Sequence, residues 1–273
     1  MELLAQYGGL LIALAAAGLF AGLVAGLFGI GGGAVIVPVL FFLFDSLGYG
    51  ERAMHVAVGT SLATIIATSL RSVAAHNRHG AVDWDVLKGW CPWIMLGAAA
   101  GMGLSNRISG EGLTILFGSL ALVIALQFFF GRPDWRVFSD MATGFVRAGL
   151  GMSMGALSAL MGIGGGTFGV TLMTISGRVI HQAVATAAGF GVAIGAPGAI
   201  AAVHAGWDRL DLPPGSVGYV NLPAFVLIAG LTVTMAPIGA RLAHNLDPAR
   251  LRRLFGVLLA VVAVRMILVA ISG

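Results

Sequence analysis

Long apolar runs separated by short polar connections dominate this sequence. Ten such runs cover residues 10–28, 33–44, 54–75, 86–105, 111–130, 141–161, 167–177, 180–203, 220–243 and 250–271. A helix of about 17–25 apolar residues can cross a hydrocarbon core about 30 Å thick. The pattern therefore predicts an all-α integral membrane protein with several passes.

Composition supports this prediction and narrows the function classes. The chain is 58% hydrophobic and 10% charged, whereas soluble domains are about 25% charged. The isoelectric point near 10.0 reflects an excess of only four positive charges. Apart from Arg265, Lys and Arg occur in the connections between apolar runs or toward the ends of the runs, where they act as topology signals. We therefore expect a lipid bilayer as partner and no nucleic acid.

The N-terminal region and the cysteine content exclude two further features. Glu2 precedes the first apolar run and no Lys or Arg does, so the basic region of a cleaved signal peptide is missing and this segment is expected to be retained. Cys91 is the single cysteine, which excludes an internal disulfide and a thiolate metal cage.

Three motifs recur in the same order and indicate an internal duplication. They are GIGGG at residues 29–33 and 162–166, HVAVGT at 55–60 and HQAVAT at 181–186, and LFG at 116–118 and 254–256. This predicts a first transmembrane repeat at residues 1–130, a connecting loop at 131–140 and a second repeat at 141–273.

The distribution of positive charge indicates how each repeat crosses the membrane. If the first two runs of each repeat crossed as one helix, the basic residues would divide seven to seven between the two sides. If each pair doubles back as a re-entrant or broken-helix hairpin, the division becomes eleven to three, with Arg265 left out because it lies within the last run. A cytoplasmic face has such a bias. Each repeat would then hold a hairpin and three spanning helices, and the odd number of crossings would invert the second repeat, as in many secondary transporters.

The two glycine runs are candidate binding sites. Three consecutive glycines in an apolar segment interrupt a helix, and irregular backbone is tolerated at membrane depth only against protein or a wet cavity. A helix that starts after such a break presents free N–H groups and partial positive charge, which suit an anion. The candidate residues are Gly31, Gly32, Gly33, Gly164, Gly165 and Gly166. Close helix packing is the alternative, and it is the preferred interpretation for Gly18, Gly22 and Gly26.

Hydroxyl groups near these runs could contact the same substrate. The candidates are Thr60, Ser61, Thr167 and Thr186. Alternatively, each hydroxyl bonds a carbonyl of its own helix, as Ser and Thr often do. The matched His55 and His181 could relay protons, although an interfacial or capping role fits them better.

The acidic residues all lie at the ends of apolar runs or in connections. Cation pumps and many proton-coupled carriers place a carboxylate within the membrane, so this distribution disfavours a cation substrate. No nucleophile and base, nucleotide loop or metal motif is evident. We expect no enzymatic activity, no cofactor and no metal.

Several of these motifs resemble the sulfite exporter TauE/SafE family of membrane permeases. GIGGG followed by Pro38 resembles the first hairpin of the family, residues 55–61 resemble its next helix, and GAVDW at residues 80–84 resembles the turn before the third. In the second repeat, Val170 stands near the position of the proline, and Gly218 with Tyr219 replaces Asp-Trp.

The resemblance implies a multi-pass transporter of the bacterial inner membrane. Its expected substrate is a small anion such as sulfite or an organosulfonate such as sulfoacetate, carried outward. Two alternatives stay open: a permease for another small solute such as a carboxylate, and a membrane assembly or sensing partner that does not transport. A homodimer is also left open.

Overall fold

A computed structural model describes residues 12, 14–24, 32–130, 140–245 and 248–272. Each apolar run of the sequence corresponds to one helix in this part of the chain. The helices are α1 Leu14–Val24, α2 Gly33–Phe44, α3 Gly50–Asn77, α4 Trp84–Ser105, α5 Gly110–Phe130, α6 Gly144–Met161, α7 Gly166–Ile175, α8 Ile180–Ala205, α9 Leu222–Asn245 and α10 Pro248–Ser272.

Little other regular structure occurs in the described residues. A π-helical turn, Asp45–Tyr49, joins α2 to α3, and the short antiparallel strands β1 Ser216–Val217 and β2 Val220–Asn221 precede α9. Within the part of the chain that the structure describes, six helical stretches are long and apolar enough to cross a membrane. The prediction of a nearly all-α, multi-pass membrane protein is confirmed at this level.

Two helices that follow the glycine runs are too short to cross alone. The helix α2 has 12 residues and α7 has 10, which at about 1.5 Å per residue correspond to about 18 and 15 Å. The hydrocarbon core is about 30 Å thick. Both helices must therefore begin or end within it if they enter the membrane.

Two antiparallel helix pairs join the two halves of the chain. In the α3–α8 pair, Gly191 lies against Ser69 and Gly198 against Leu62. The α5–α10 pair also runs antiparallel, with Gly118 against Ile267 and Gly256 against Phe128. One helix of each pair comes from each half of the chain.

Two parallel pairs also use glycine for close approach. In the α4–α6 pair, Gly97 lies against Met152 and Gly101 against Ala156. Gly18 and Gly22 of α1 lie against Leu231 and Met235 of α9 in the same way, as their four-residue spacing indicated. Gly26 lies outside the described residues.

The helix directions show that the chain reverses between α6 and α8. The helix α8 runs parallel to α4, because Leu87 lies against Gly189 and Asn106 bonds Ala205 near the other end. Since α6 also runs parallel to α4, α6 and α8 point the same way. Consistent with this, Asp140 before α6 and Arg178 before α8 form an ion pair at 3.2 Å. The α6–α7 segment therefore begins and ends on one side of the molecule.

Substitution of Gly97 by leucine is expected to destabilise the protein by about 1–3 kcal/mol, the usual cost of overpacking. A Cβ at this position overlaps the backbone carbonyl of Met152, so α4 and α6 must separate. Thermal unfolding of the purified protein in detergent measures the effect. Gly103→Leu on the same helix is the control, since nothing lies within 4 Å of a Cβ there. Equal melting temperatures for the two variants would contradict the packing described.

Candidate functional site

The two glycine runs meet in the interior of the molecule. The helix α2 starts at Gly33, after Gly32 in a left-handed conformation with φ of 78°. A Cβ added at Gly33 would overlap the carbonyl oxygen of Gly162 and come within 2.9 Å of the Ile163 Cα. Gly162 ends α6, also in a left-handed conformation, with φ of 62°. Glycine at these positions thus permits both the turn and the contact between the two halves.

Both short helices begin in the protein interior without a side-chain cap. No side chain of the described residues caps α2 or α7, and their first turns hold no acidic residue. Gly32 and Gly33 are buried at one start, and Gly165, Gly166 and Thr167 at the other. A helix start leaves its first N–H groups without helical partners and carries about half a positive charge. Each start therefore offers N–H donors to an acceptor.

Gly164 is buried between Ile163 and Gly165, so the whole second run lies in the interior. Gly165 packs against Phe190 and against the carbonyl oxygen of Ala187 on α8. Gly31 lies outside the described residues. In the second run, helix interruption and close packing therefore occur together.

Ser61 links the first half of the chain to the second glycine run. Its hydroxyl donates a hydrogen bond of 2.7 Å to the carbonyl oxygen of Gly162, and both groups are buried. This hydroxyl therefore lies beside the second glycine run, and its contact with a substrate stays a prediction.

Thr60 and Thr186 make matching contacts across the two halves. The hydroxyl of Thr60 accepts a hydrogen bond of 2.9 Å from the backbone N–H of Asn221, and that of Thr186 accepts one of 2.9 Å from the N–H of Asp83. Both threonines are fully buried. A hydroxyl that accepts one bond still has its own hydrogen to donate.

Two other hydroxyls of this region bond a carbonyl of their own helix, as the alternative expectation has it. Thr64 donates to the carbonyl of Thr60 at 3.0 Å, and Thr171 donates to that of Thr167 at 2.9 Å. Thr167 itself is 7% exposed and is the second residue of α7.

Asn221 occupies the position in the second half that Asp83 has in the first. Each lies three residues after a left-handed glycine, Gly80 or Gly218. Each accepts a hydrogen bond on its side-chain oxygen from the N–H three residues later, at 3.1 Å for Asp83 and 3.0 Å for Asn221. The comparison of Gly218 and Tyr219 with Asp-Trp was therefore wrong: Asn221 and Leu222 are the matching residues.

The helices α3 and α8 each have an arginine near their start that pairs with an acid of the other half. Arg52 donates to Asp211 at 2.8 Å. Arg178 lies 3.7 Å from Asp83, too far for a hydrogen bond, and 3.2 Å from Asp140. The hydrogen bond from Arg52 lowers the pKa of the exposed Asp211 carboxyl, so this pair persists above that pKa and is lost as the pH falls through it.

The two histidines have different surroundings. His55 is 1% exposed, its Nε2 lies 3.1 Å from the carbonyl of Ser105, and its ring packs on Tyr219. His181 is exposed. The backbone contact of His55 agrees with the capping interpretation.

The sequence interpretation missed two features of this region. Ser158, in the last turn of α6, is fully buried and its hydroxyl has no hydrogen-bond partner among the described residues. No local sequence pattern distinguishes Ser158 from a serine that only packs between helices. Arg52 and Arg178, however, show the same 126-residue separation as the matched histidines and threonines, so the repeat itself could have identified them.

Comparison with known proteins places the chain in a family. The family model described as sulfite exporter TauE/SafE matches residues 14–266. The chain belongs to this family. It is a multi-pass membrane transporter, and the resemblance inferred from the motifs is confirmed.

Relatives of this TauE/SafE family member carry general names. A protein of Haemophilus influenzae, named "probable membrane transporter protein", is 33% identical over 252 residues, which cover 92% of this chain and 96% of the relative. A protein of Methanocaldococcus jannaschii with the same designation is 26% identical over 92% of this chain and 93% of its own length. No solved structure matches the chain significantly.

Proposed function

We propose that this transporter exports a small anion such as sulfite or an organosulfonate like sulfoacetate, bound at the starts of α2 and α7. The observation that carries the proposal is the pair of uncapped, buried helix starts at the two glycine runs. Oxygen atoms of an anion accept hydrogen bonds from such N–H groups, and the helix dipoles favour its negative charge. The hydroxyls of Ser61, Thr60, Thr167 and Thr186 are available as additional donors once the two halves separate.

We further propose that α1–α5 and α6–α10 are inverted repeats and that α1–α2 and α6–α7 re-enter the membrane as hairpins. In such repeats α1 corresponds to α6, α3 to α8, α4 to α9 and α5 to α10. The α4–α6 pair should then have a counterpart in α9–α1, while α3–α8 and α5–α10 each pair a helix with its own counterpart. All four pairs occur in the structure. The reversal between α6 and α8 also supports the hairpin. With hairpins in both repeats, eleven basic residues lie on the side where α6 and α8 begin, and we assign this side to the cytoplasm. The membrane would be the inner membrane of a bacterium.

Substrate access requires a change of structure, because the candidate residues are buried against one another. Gly33 touches Gly162, and Ser61 bonds the same glycine. Relative motion of two repeats around a central site is the usual mechanism of inverted-repeat transporters. The described arrangement therefore corresponds to a closed state in this proposal.

Flux into proteoliposomes tests the function. Purified protein should move labelled sulfite or sulfoacetate, and a potential that is negative inside should drive the anion outward, by about 2.3 kcal/mol per charge per 100 mV. A carboxylate permease would move a carboxylate and neither sulfur oxyanion. A non-transporting partner protein would move none of these, and that outcome would refute the proposal. An anion that binds the folded form should also raise its melting temperature.

Cysteine labelling tests the topology. In a Cys91→Ala background, single cysteines in place of the exposed Arg107 and Arg209 should react with an impermeant maleimide from outside, and those in place of Arg78 and Arg253 from inside. Single crossings in place of hairpins would instead group position 78 with 209 and position 107 with 253. That grouping would contradict the proposed hairpins.

A further inference from the structure

Two ion pairs stand at opposite ends of α3 and connect opposite halves of the chain. Arg52, in the first turn of α3, pairs with Asp211 in the α8–α9 connection. Arg178, just before α8, pairs with Asp83 in the turn that follows α3. The 28 residues of α3 separate the two pairs, a distance of about 42 Å at 1.5 Å per residue.

The arginines are equivalent by the repeat. Arg52 precedes His55 by three residues and Thr60 by eight, and Arg178 precedes His181 and Thr186 by the same intervals. Next to each ion pair, the matched threonine accepts a hydrogen bond from the backbone of the opposite half. At each end of the molecule, an ion pair and a hydrogen bond thus connect the two halves of the chain.

The acids are arranged differently at the two ends. In the first half, Asp83 both caps α4 and lies beside Arg178. In the second half, Asn221 provides the cap but has no charge, and the carboxylate that pairs with Arg52 comes from Asp211, ten residues earlier. Asp83 therefore both caps a helix and pairs with an arginine, whereas in the second half Asn221 and Asp211 each take one of these roles. An ion pair is present at both ends.

We propose that Arg52–Asp211 and Arg178–Asp83 are latches that close the outer and the inner side of the transporter in turn. The inference rests on the proposed function and on the inverted repeats. In the described state both pairs are formed, and the described glycines of the two runs between them are buried. Opening toward one side separates the halves at that end, which breaks one pair and leaves the other intact. The inner pair is longer, at 3.7 Å against 2.8 Å, and Arg178 has Asp140 as a second partner.

The test measures access to the glycine runs from each side. Ser158→Cys in a Cys91→Ala background places a thiol in the last turn of α6, where the hydroxyl it replaces makes no hydrogen bond within the described residues. An impermeant maleimide is applied to right-side-out and to inverted vesicles. Asp211→Asn should raise labelling from outside, and Asp83→Asn labelling from inside, each by about fivefold, as expected when an ion pair that favours the closed state is lost.

Matched variants separate the latches from a general effect of charge. Asp83→Asn retains a capping side chain, as Asn221 does in the second half, so α4 should fold normally. Asp208→Asn and Asp85→Asn remove an exposed carboxylate from the same connection and from the same helix start, and should leave labelling unchanged. Exchange of the charges, Arg52→Asp with Asp211→Arg, should restore the low labelling from outside.

Two results would overturn the latches: equal changes of labelling from both sides, or Asp83→Asn and Asp211→Asn variants that behave like their controls. The readout does not depend on which anion moves. Side-specific labelling without flux of sulfite or sulfoacetate would refute the anion assignment and leave the latches standing. Flux of either anion with unchanged labelling would refute the latches and leave the anion assignment standing.

Discussion

Substitution of Gly33 by alanine is expected to reduce anion flux by about 100-fold or more, the effect of losing one well-oriented donor at an anionic centre. The added methyl group would overlap the carbonyl oxygen of Gly162, so the two glycine runs could not keep their contact and the N–H groups at the start of α2 would shift. Initial rates of labelled sulfite and sulfoacetate uptake in proteoliposomes measure the effect.

Gly149→Ala is the matched control for this variant. It adds the same methyl group to α6, in the α6–α7 segment, and nothing lies within 4 Å of that position. Alanine favours a helix over glycine by up to about 1 kcal/mol, so this variant should fold and transport normally. Size-exclusion chromatography of Gly33→Ala establishes that the protein remains folded. Normal transport by Gly33→Ala would show that the contact between the runs has no part in the mechanism.

The combined substitutions Thr60→Val and Thr186→Val are expected to destabilise the closed arrangement, by about 1–3 kcal/mol for the buried N–H of Asn221 left without a partner and by less for the half-buried one of Asp83. Valine keeps the shape of threonine, but the N–H groups of Asn221 and Asp83 would lose the hydroxyl that accepts from them. The melting temperature in detergent should fall, and each single variant should produce part of the fall.

Thr60→Ser and Thr186→Ser separate the hydroxyl from the methyl group. Serine retains the acceptor, so both variants should melt close to the unmodified protein. If the valine variants unfold at the same temperature as the serine variants, these hydrogen bonds do not hold the halves together.

The helices were predictable from sequence for a simple physical reason. A bilayer requires long apolar segments, and polar connections mark their ends, so the predicted run at residues 111–130 became α5 at Gly110–Phe130. The run at residues 33–44 coincides with α2 because glycine on one side and the π-helical turn on the other limit it. Such signals are local, and they require no knowledge of the neighbouring helices.

The contacts of the candidate site were harder to predict from the sequence. The bond from Asn221 to Thr60 joins residues 161 positions apart, and that from Ser61 to Gly162 joins residues 101 apart. No periodicity encodes either partner, so the threonines could be identified as repeated but their acceptor role could not. The match between Asp83 and Asn221 was also missed, because the strands and the longer connection before α9 shift its position in the repeat.

A high-resolution structure with selenite, an analogue of sulfite whose selenium can be located by anomalous scattering, tests the central proposal most directly. We predict selenite oxygens at hydrogen-bonding distance, about 2.7–3.2 Å, from backbone N–H groups at the start of α2 or α7. Selenite bound only elsewhere, with both helix starts still packed against protein, would contradict the account.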